Sequence, residues 1–173
     1  MLKLQSTLIT EKEIHARVST LADELRHAYA GTNPLILCVL KGAFIFAADL
    51  VRAMDIPLEL DFIQLASYGN GTCAGKLTMK KDVCAEVKGR DVLIVEDILD
   101  TGTSLSYLTE YLKSKNPNSL RVCVLVDKPA RRTADFSADY VGFEIPDEFI
   151  VGYGLDCAEQ YRALPYIGVL GEG

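Results

Sequence analysis

The chain has no tryptophan, only two histidines (His15 and His27), and five cysteines, no two of them in a Cys-x-x-Cys spacing. Scattered thiols and two histidines do not supply the paired ligands of a zinc centre, so none is expected. Cys38 and Cys123 fall inside apolar, strand-like runs, where a reduced and buried thiol is the ordinary state. Long hydrophobic stretches are also missing. No run approaches the ~20 apolar residues of a membrane span, and Met1 to Thr7 is too polar for the heart of a signal peptide. A cytoplasmic protein that does not engage membranes is the expectation. A basic surplus is lacking too: 18 Lys and Arg against 24 Asp and Glu leave a net charge of −6. That balance argues against a nucleic-acid partner, because neutralising phosphates needs surplus cations. No repeat, low-complexity tract or linker interrupts the chain, and a single domain over residues 1–173 is expected.

What is present reads as alternating strands and helices. Thr10-Glu11-Lys12-Glu13 has the form of a capping box, and Ile14, Val18, Leu21, Ala22, Leu25 and Tyr29 follow at helical spacing before Gly31. His15 and His27 fall off that stripe and read as solvated. Leu35 to Leu40, Val92 to Val95 and Leu120 to Val126 are continuous apolar runs of the kind that fill strands buried on both faces. Leu58 to Leu65, Lys76 to Asp82, Tyr140 to Glu144 and Phe149 to Tyr153 read as further strands. Ala43 to Met54 and Thr103 to Lys115 read as helices. The pattern predicts an α/β fold: an open, mainly parallel, twisted sheet flanked by helices, with the helix-poor C-terminal part forming a small hood.

Chemistry concentrates in Val92-Leu93-Ile94-Val95-Glu96-Asp97-Ile98-Leu99-Asp100-Thr101-Gly102-Thr103-Ser104, where an apolar strand runs into acids, then a hydroxyl- and glycine-rich turn, then a helix. Such a turn offers backbone N–H groups and a positive helix terminus to a phosphate. The turn has no lysine, which excludes an ordinary P-loop. The plainer account makes Asp100 a helix cap and leaves Glu96 and Asp97 solvated. Against it, three neighbouring carboxylates repel one another unless a ligand or ion relieves them. Residues 69–74 satisfy a dinucleotide-type glycine spacing, but no helix pattern follows, and a flexible lid loop over 69–75 is the better reading.

Glu96-Asp97-Ile98-Leu99-Asp100-Thr101-Gly102 resembles the signature of the type I phosphoribosyltransferases. Leu40-Lys41-Gly42, Ser67-Tyr68-Gly69, Asp127-Lys128-Pro129, Val141 to Pro146, Val151 to Asp156, and then Arg162, follow in the order of the hypoxanthine-guanine phosphoribosyltransferases. The resemblance runs from about Leu35 to Leu170 and implies purine salvage: transfer of a phosphoribosyl group from its diphosphate to N9 of a 6-oxopurine, hypoxanthine or guanine. It implies Asp100 as general acid and base at purine N7. Glu96 and Asp97 would hold the ribose hydroxyls, directly or through magnesium. Thr101, Gly102, Thr103 and Ser104 would cradle the 5′-phosphate, and Lys41, Gly42 and Arg162 would meet the diphosphate. Lys128 would donate to the 6-oxo group, Phe149 would stack on the purine, and Ile150 would offer backbone groups to its edge. Asp156 would bind a second magnesium, and Ser67 and Tyr68 would lie on the lid. The Lys41-Gly42 bond would be a candidate cis peptide, and a homodimer or homotetramer is implied. The sequence departs from some relatives at Thr103-Ser104, where Lys-Thr stands elsewhere, and at Ile150, where others carry Val.

A lid makes chemical sense, since loss of diphosphate gives the ribose cationic character that water would capture. Two rivals remain at this point. One is a nucleotide-binding transcriptional regulator on the same fold. The other is a sister transferase for adenine, orotate or uracil, which Lys128 disfavours because adenine presents a donor at C6.

Overall fold

Leu35–Val39, five consecutive apolar residues, are all buried in the middle of a six-stranded sheet. The computed structural model describes residues 2–68 and 76–172. In chain order the elements are β1 (Leu2–Ile9), α1 (Glu11–Ala28), β2 (Leu35–Val39), α2 (Phe44–Met54), β3 (Glu59–Tyr68), β4 (Lys76–Lys81), β5 (Asp91–Leu99), α3 (Thr103–Lys113), β6 (Ser119–Asp127), a 3₁₀ turn (Pro129–Arg131), β7 (Tyr140–Glu144), β8 (Ile150–Val151) and β9 (Ile167–Glu172). The larger sheet has the order β4-β3-β2-β5-β6-β7. Its pairs are parallel except β3 with β4.

Because successive strand side chains point to opposite faces, the central strands feed two cores. Ile36, Cys38, Leu93 and Val95 pack toward α1 and α2, against Leu21, Leu25, Phe46 and Leu50. Leu35, Leu37, Val92 and Ile94 pack toward α3, against Leu105, Leu108 and Leu112. The run of apolar residues without alternation is therefore the mark of a strand covered on both sides. The buried Cys38 thiol is pushed up to about 12 by burial, and further by Glu96 and Asp97, so it stays protonated.

The capping box forms as expected: Thr10 Oγ1 accepts from Glu13 N at 3.3 Å, and Glu13 Oε2 accepts from Thr10 N at 2.8 Å. Both histidines are exposed. Several boundaries differ from the sequence expectation, among them β3, which runs on to Tyr68 rather than ending at Leu65. Strand β5 runs on through the acids to Leu99, held by pairing with β6 as far as Asp127. Helix α3 stops at Lys113, two residues early, where Asn116 turns left-handed (φ 56°). Only Ile150–Val151 of the expected strand from Phe149 to Tyr153 is β, because Gly152, Tyr153 and Gly154 adopt φ of 103°, 50° and 103°.

The hood is a three-stranded antiparallel sheet, β1-β9-β8. Its outer strand comes from the N-terminus, which sequence reading had not assigned. Half of its residues are apolar, but only Ile9 is buried and the rest is mostly exposed, so pairing with β9 rather than burial defines it. No helix of the described residues is long and apolar enough to cross a membrane.

Candidate active site

The acidic stretch lies at the carboxyl end of β5, the place where open α/β sheets gather ligands. Asp100 is not the cap of α3. The N-cap is Gly102, with φ 85° and no side chain to cap the helix, and of the first-turn amides Thr103 N donates to Thr101 Oγ1 at 3.4 Å. That left-handed φ suits glycine. A Cβ at 102 would also come within 3.0 Å of Arg132 Cδ. The turn is braced from behind by the segment after β6. Lys128 N donates to Leu99 O at 2.9 Å, and Thr133 N and Ala134 N donate to Thr101 O at 3.0 and 3.1 Å. A cavity of about 270 Å³ opens over this turn, bounded by Glu96, Asp97, Asp100, Thr101, Gly102 and Ser104. Thr103 and Ser104 are exposed at its helix end.

A second cavity, about 560 Å³, adjoins it and brings together Asp97, Asp100, Lys128, Phe149, Ile150 and Asp156. Lys128 is only 6% exposed, and its Nζ donates to the Glu148 carbonyl. Phe149, by contrast, is 50% exposed, a large apolar ring left open to this cavity. Ile150 is buried in the core, so its side chain serves packing.

On the far side, Lys41 Nζ and Glu159 Oε1 pair at 2.8 Å. Arg162 donates to Gly154 O at 2.7 Å and pairs with Asp156 Oδ1 at 2.9 Å and Glu159 Oε2 at 3.2 Å. Its Nε is buried with no protein partner. Gly42 lies against the Asp97 carboxylate. The cis peptide is Leu40–Lys41, one bond earlier than the expected Lys41–Gly42. Leu40 N still donates to Ile63 O at 2.8 Å, so strand pairing persists through Leu40 and the chain turns at the next bond. Ser67 and Tyr68 are the last residues of β3, paired with Leu77 and Lys76, and so belong to a strand rather than a loop. The expected lid over 69–75, with its glycine spacing, lies outside the described residues.

Burial, and after it the neighbouring Asp97, holds the Glu96 carboxyl well above the usual carboxylate range. Asp97 is raised as well, chiefly by burial. Two crowded acids with raised affinity for protons are equally a place for a cation. Among the described residues no three His, Cys, Asp or Glu side chains cluster closely enough to hold a metal alone. Yet Asp97 and Asp156 border one cavity with hard oxygen donors. One or two carboxylates, completed by substrate oxygens and water, is how magnesium is ordinarily held, so the donor set fits that ion.

The structure adds residues that the motif reading had passed over. Arg131 Nε donates to Asp100 Oδ1 at 2.8 Å, Arg132 Nε donates to Asp100 O at 3.1 Å, and Glu159 bridges Lys41 and Arg162. The two arginines that follow Asp127-Lys128-Pro129 after Ala130 were the available signal.

Residues 5–158 match the phosphoribosyl transferase domain. The chain is 51% identical over 168 residues to the hypoxanthine-guanine phosphoribosyltransferase of Bacillus subtilis, covering 96% of this chain and 93% of that one. It is 50% identical over 168 residues to the bifunctional protein TilS/HprT of Listeria monocytogenes, spanning 96% of its own length but only 26% of that relative. The crystal structure of a hypoxanthine-guanine phosphoribosyltransferase from Bacillus anthracis superposes with a TM-score of 0.93 at 42% identity, over 99% of this chain and 100% of that one.

Proposed function

The chain belongs to the phosphoribosyltransferase family, and from that premise we propose that it is a cytoplasmic purine-salvage enzyme joining hypoxanthine or guanine to phosphoribosyl diphosphate. The observation that carries the reading is the meeting of Asp100, Lys128 and Phe149 in one cavity beside the Asp100–Ser104 turn. The similarity to hypoxanthine-guanine phosphoribosyltransferases favours this reading over a regulator.

In the proposed reaction the bond between C1′ and the diphosphate oxygen breaks, the N9–C1′ bond forms, and the purine's surplus proton leaves at N7. Asp100 receives that proton, and returns it in the reverse direction, as a positioned carboxylate does. Lys128, sunk at the cavity wall, has N–H groups beyond the one given to Glu148, and these serve the 6-oxo group. Phe149 covers the ring face. The amides and hydroxyls of Thr101, Gly102, Thr103 and Ser104 take the 5′-phosphate, with the α3 terminus adding its positive end. Lys41, the Gly42 amide and Arg162 face the leaving diphosphate. Glu96 and Asp97 hold the ribose hydroxyls. Magnesium, when bound through Asp97, Glu96 and Asp156, supplies charge neutralisation on the diphosphate oxygens.

A homodimer or homotetramer is proposed as the working assembly. Phe44, Leu60 and Phe62 are 45%, 41% and 36% exposed, an apolar patch beside Lys41 suited to a second copy.

The decisive experiment is a base panel with phosphoribosyl diphosphate and magnesium. Nucleotide is expected from hypoxanthine and guanine, and none from adenine, orotate or uracil. Product from adenine with hypoxanthine inert would overturn the assignment.

A further inference from the structure

We propose that Arg131 is a positioning residue that aims the Asp100 carboxylate at the purine, an inference that rests on the reading of Asp100 as acid and base. Arg131 Nε donates to Asp100 Oδ1 at 2.8 Å, and its Nη1 stands 3.7 Å from Asp147 Oδ1 at the cavity edge. Its neighbour grips the same aspartate from the other end. Arg132 Nε donates to Asp100 O at 3.1 Å, while Nη1 donates to Phe136 O at 2.7 Å and Nη2 pairs with Asp127. The tandem arginines thus hold one residue at both backbone and side chain. Arg132 is the half-buried anchor, with 18% of its side chain exposed; Arg131, at 46%, borders the cavity together with Asp100, Lys128 and Phe149.

The local backbone explains why Arg131 reaches. Pro129 opens the 3₁₀ turn, and Arg131 N donates to Lys128 O at 3.1 Å. Lys128 opens that turn as its N-cap and Arg131 ends it, and both side chains border the same cavity. One short turn therefore delivers both the cation that reads the base and the guanidinium that fixes the acid. An Arg–Asp pair this exposed adds little to stability, so what it contributes is direction. With Oδ1 held, Asp100 keeps Oδ2 as the oxygen free to meet N7. A carboxylate displaced by about 1 Å loses about two orders of magnitude in rate.

Steady-state kinetics with hypoxanthine, phosphoribosyl diphosphate and magnesium on Arg131→Met, Arg131→Lys, Asp100→Asn and the Met/Asn double variant test this. Arg131→Met is expected to lower kcat by roughly 10- to 100-fold while leaving KM for phosphoribosyl diphosphate within about twofold, the margin of independent sites. Arg131→Lys recovers part of the loss. In the Asp100→Asn background, where no acid remains to be aimed, Arg131→Met costs no more than about twofold. An equal loss in both backgrounds, or a normal kcat for Arg131→Met beside an impaired Asp100→Asn, overturns the role of Arg131 alone. An unimpaired Asp100→Asn would instead remove the reading of Asp100 on which it rests. Thermal melts establish that each variant is folded; should Arg131→Met fail to fold, Arg131→Lys carries the comparison.

Discussion

The Asp97 carboxylate occupies the space that any side chain at position 42 would need: a Cβ on Gly42 would lie 1.6 Å from Asp97 Oδ2. Gly154 presses from the hood, where its own Cβ would meet Gly42 O at 2.1 Å. Three segments distant in sequence are thereby stacked glycine on carboxylate and glycine on carbonyl. Gly42→Ala should push Asp97 off its seat, lowering stability by about 1–3 kcal/mol as overpacking does. It should also cut kcat/KM for phosphoribosyl diphosphate by about 100-fold through misplacement. A melting curve and a substrate titration check both; an unchanged variant would mean that the turn yields freely.

Asp100→Asn separates chemistry from folding. Turnover should fall by about two to four orders of magnitude, the range of positioned acid–base catalysis. Because Gly102 rather than Asp100 caps α3, and the ion pair to Arg131 is exposed, stability should change by no more than about 1 kcal/mol. Near-normal turnover in a folded variant would dismiss Asp100 from its role.

Asp61 ties β3 to the segment before β5, its Oδ2 accepting from Cys84 N at 2.6 Å and Ala85 N at 2.9 Å. Burial pushes its carboxyl up, but the amides of Ala85, Phe62 and Cys84 and the Lys81 ammonium outweigh burial and hold it below its ordinary 3.8. A depressed carboxyl contributes stability that is complete above its unfolded value and disappears as the pH falls through the folded one. Asp61→Asn should therefore cost about 1–3 kcal/mol at neutral pH, and the difference from the parent should narrow below roughly pH 3.8. Chemical denaturation at several pH values measures it; a gap independent of pH would show that charge plays no part.

Tyr153 is buried in the left-handed turn of the hood and hydrogen-bonds Asp49 on α2. Tyr153→Phe removes the donor to Asp49 Oδ2 and leaves only Arg52 on the other oxygen, at a cost of about 1.5–3 kcal/mol for a bond to a charged group. That corresponds to a fall in Tm of about 3–12 °C for a chain of this size. Calorimetry decides it, and an unshifted Tm would make the contact incidental.

The apolar patch offers a test of assembly. Phe44→Asp with Phe62→Asp should shift sedimentation from oligomer to monomer, since a buried unpaired charge is poorly tolerated in an interface core. An oligomer that persists unchanged would place the contact elsewhere.

Local signals in the chain were enough to specify β2, β5 and β6, the cap of α1, and the acid-rich turn with its glycine. Each depends on near neighbours: continuous apolar runs, Thr10 with Glu13, Gly102 at a positive φ. The resemblance carried by ordered motifs named the family and most candidate residues from the same text. What only the folded chain decided are relations between segments far apart in number. Strand β1 exists because β9 lies beside it, Phe149 faces a cavity because Gly152 to Gly154 bend away, and Arg131 reaches Asp100 across 31 positions. Spacing along a chain encodes periodicity and caps, whereas contact across it depends on where the sheet brings each strand end. The partners of Asp97, Asp100 and Lys41 were therefore invisible until those ends met.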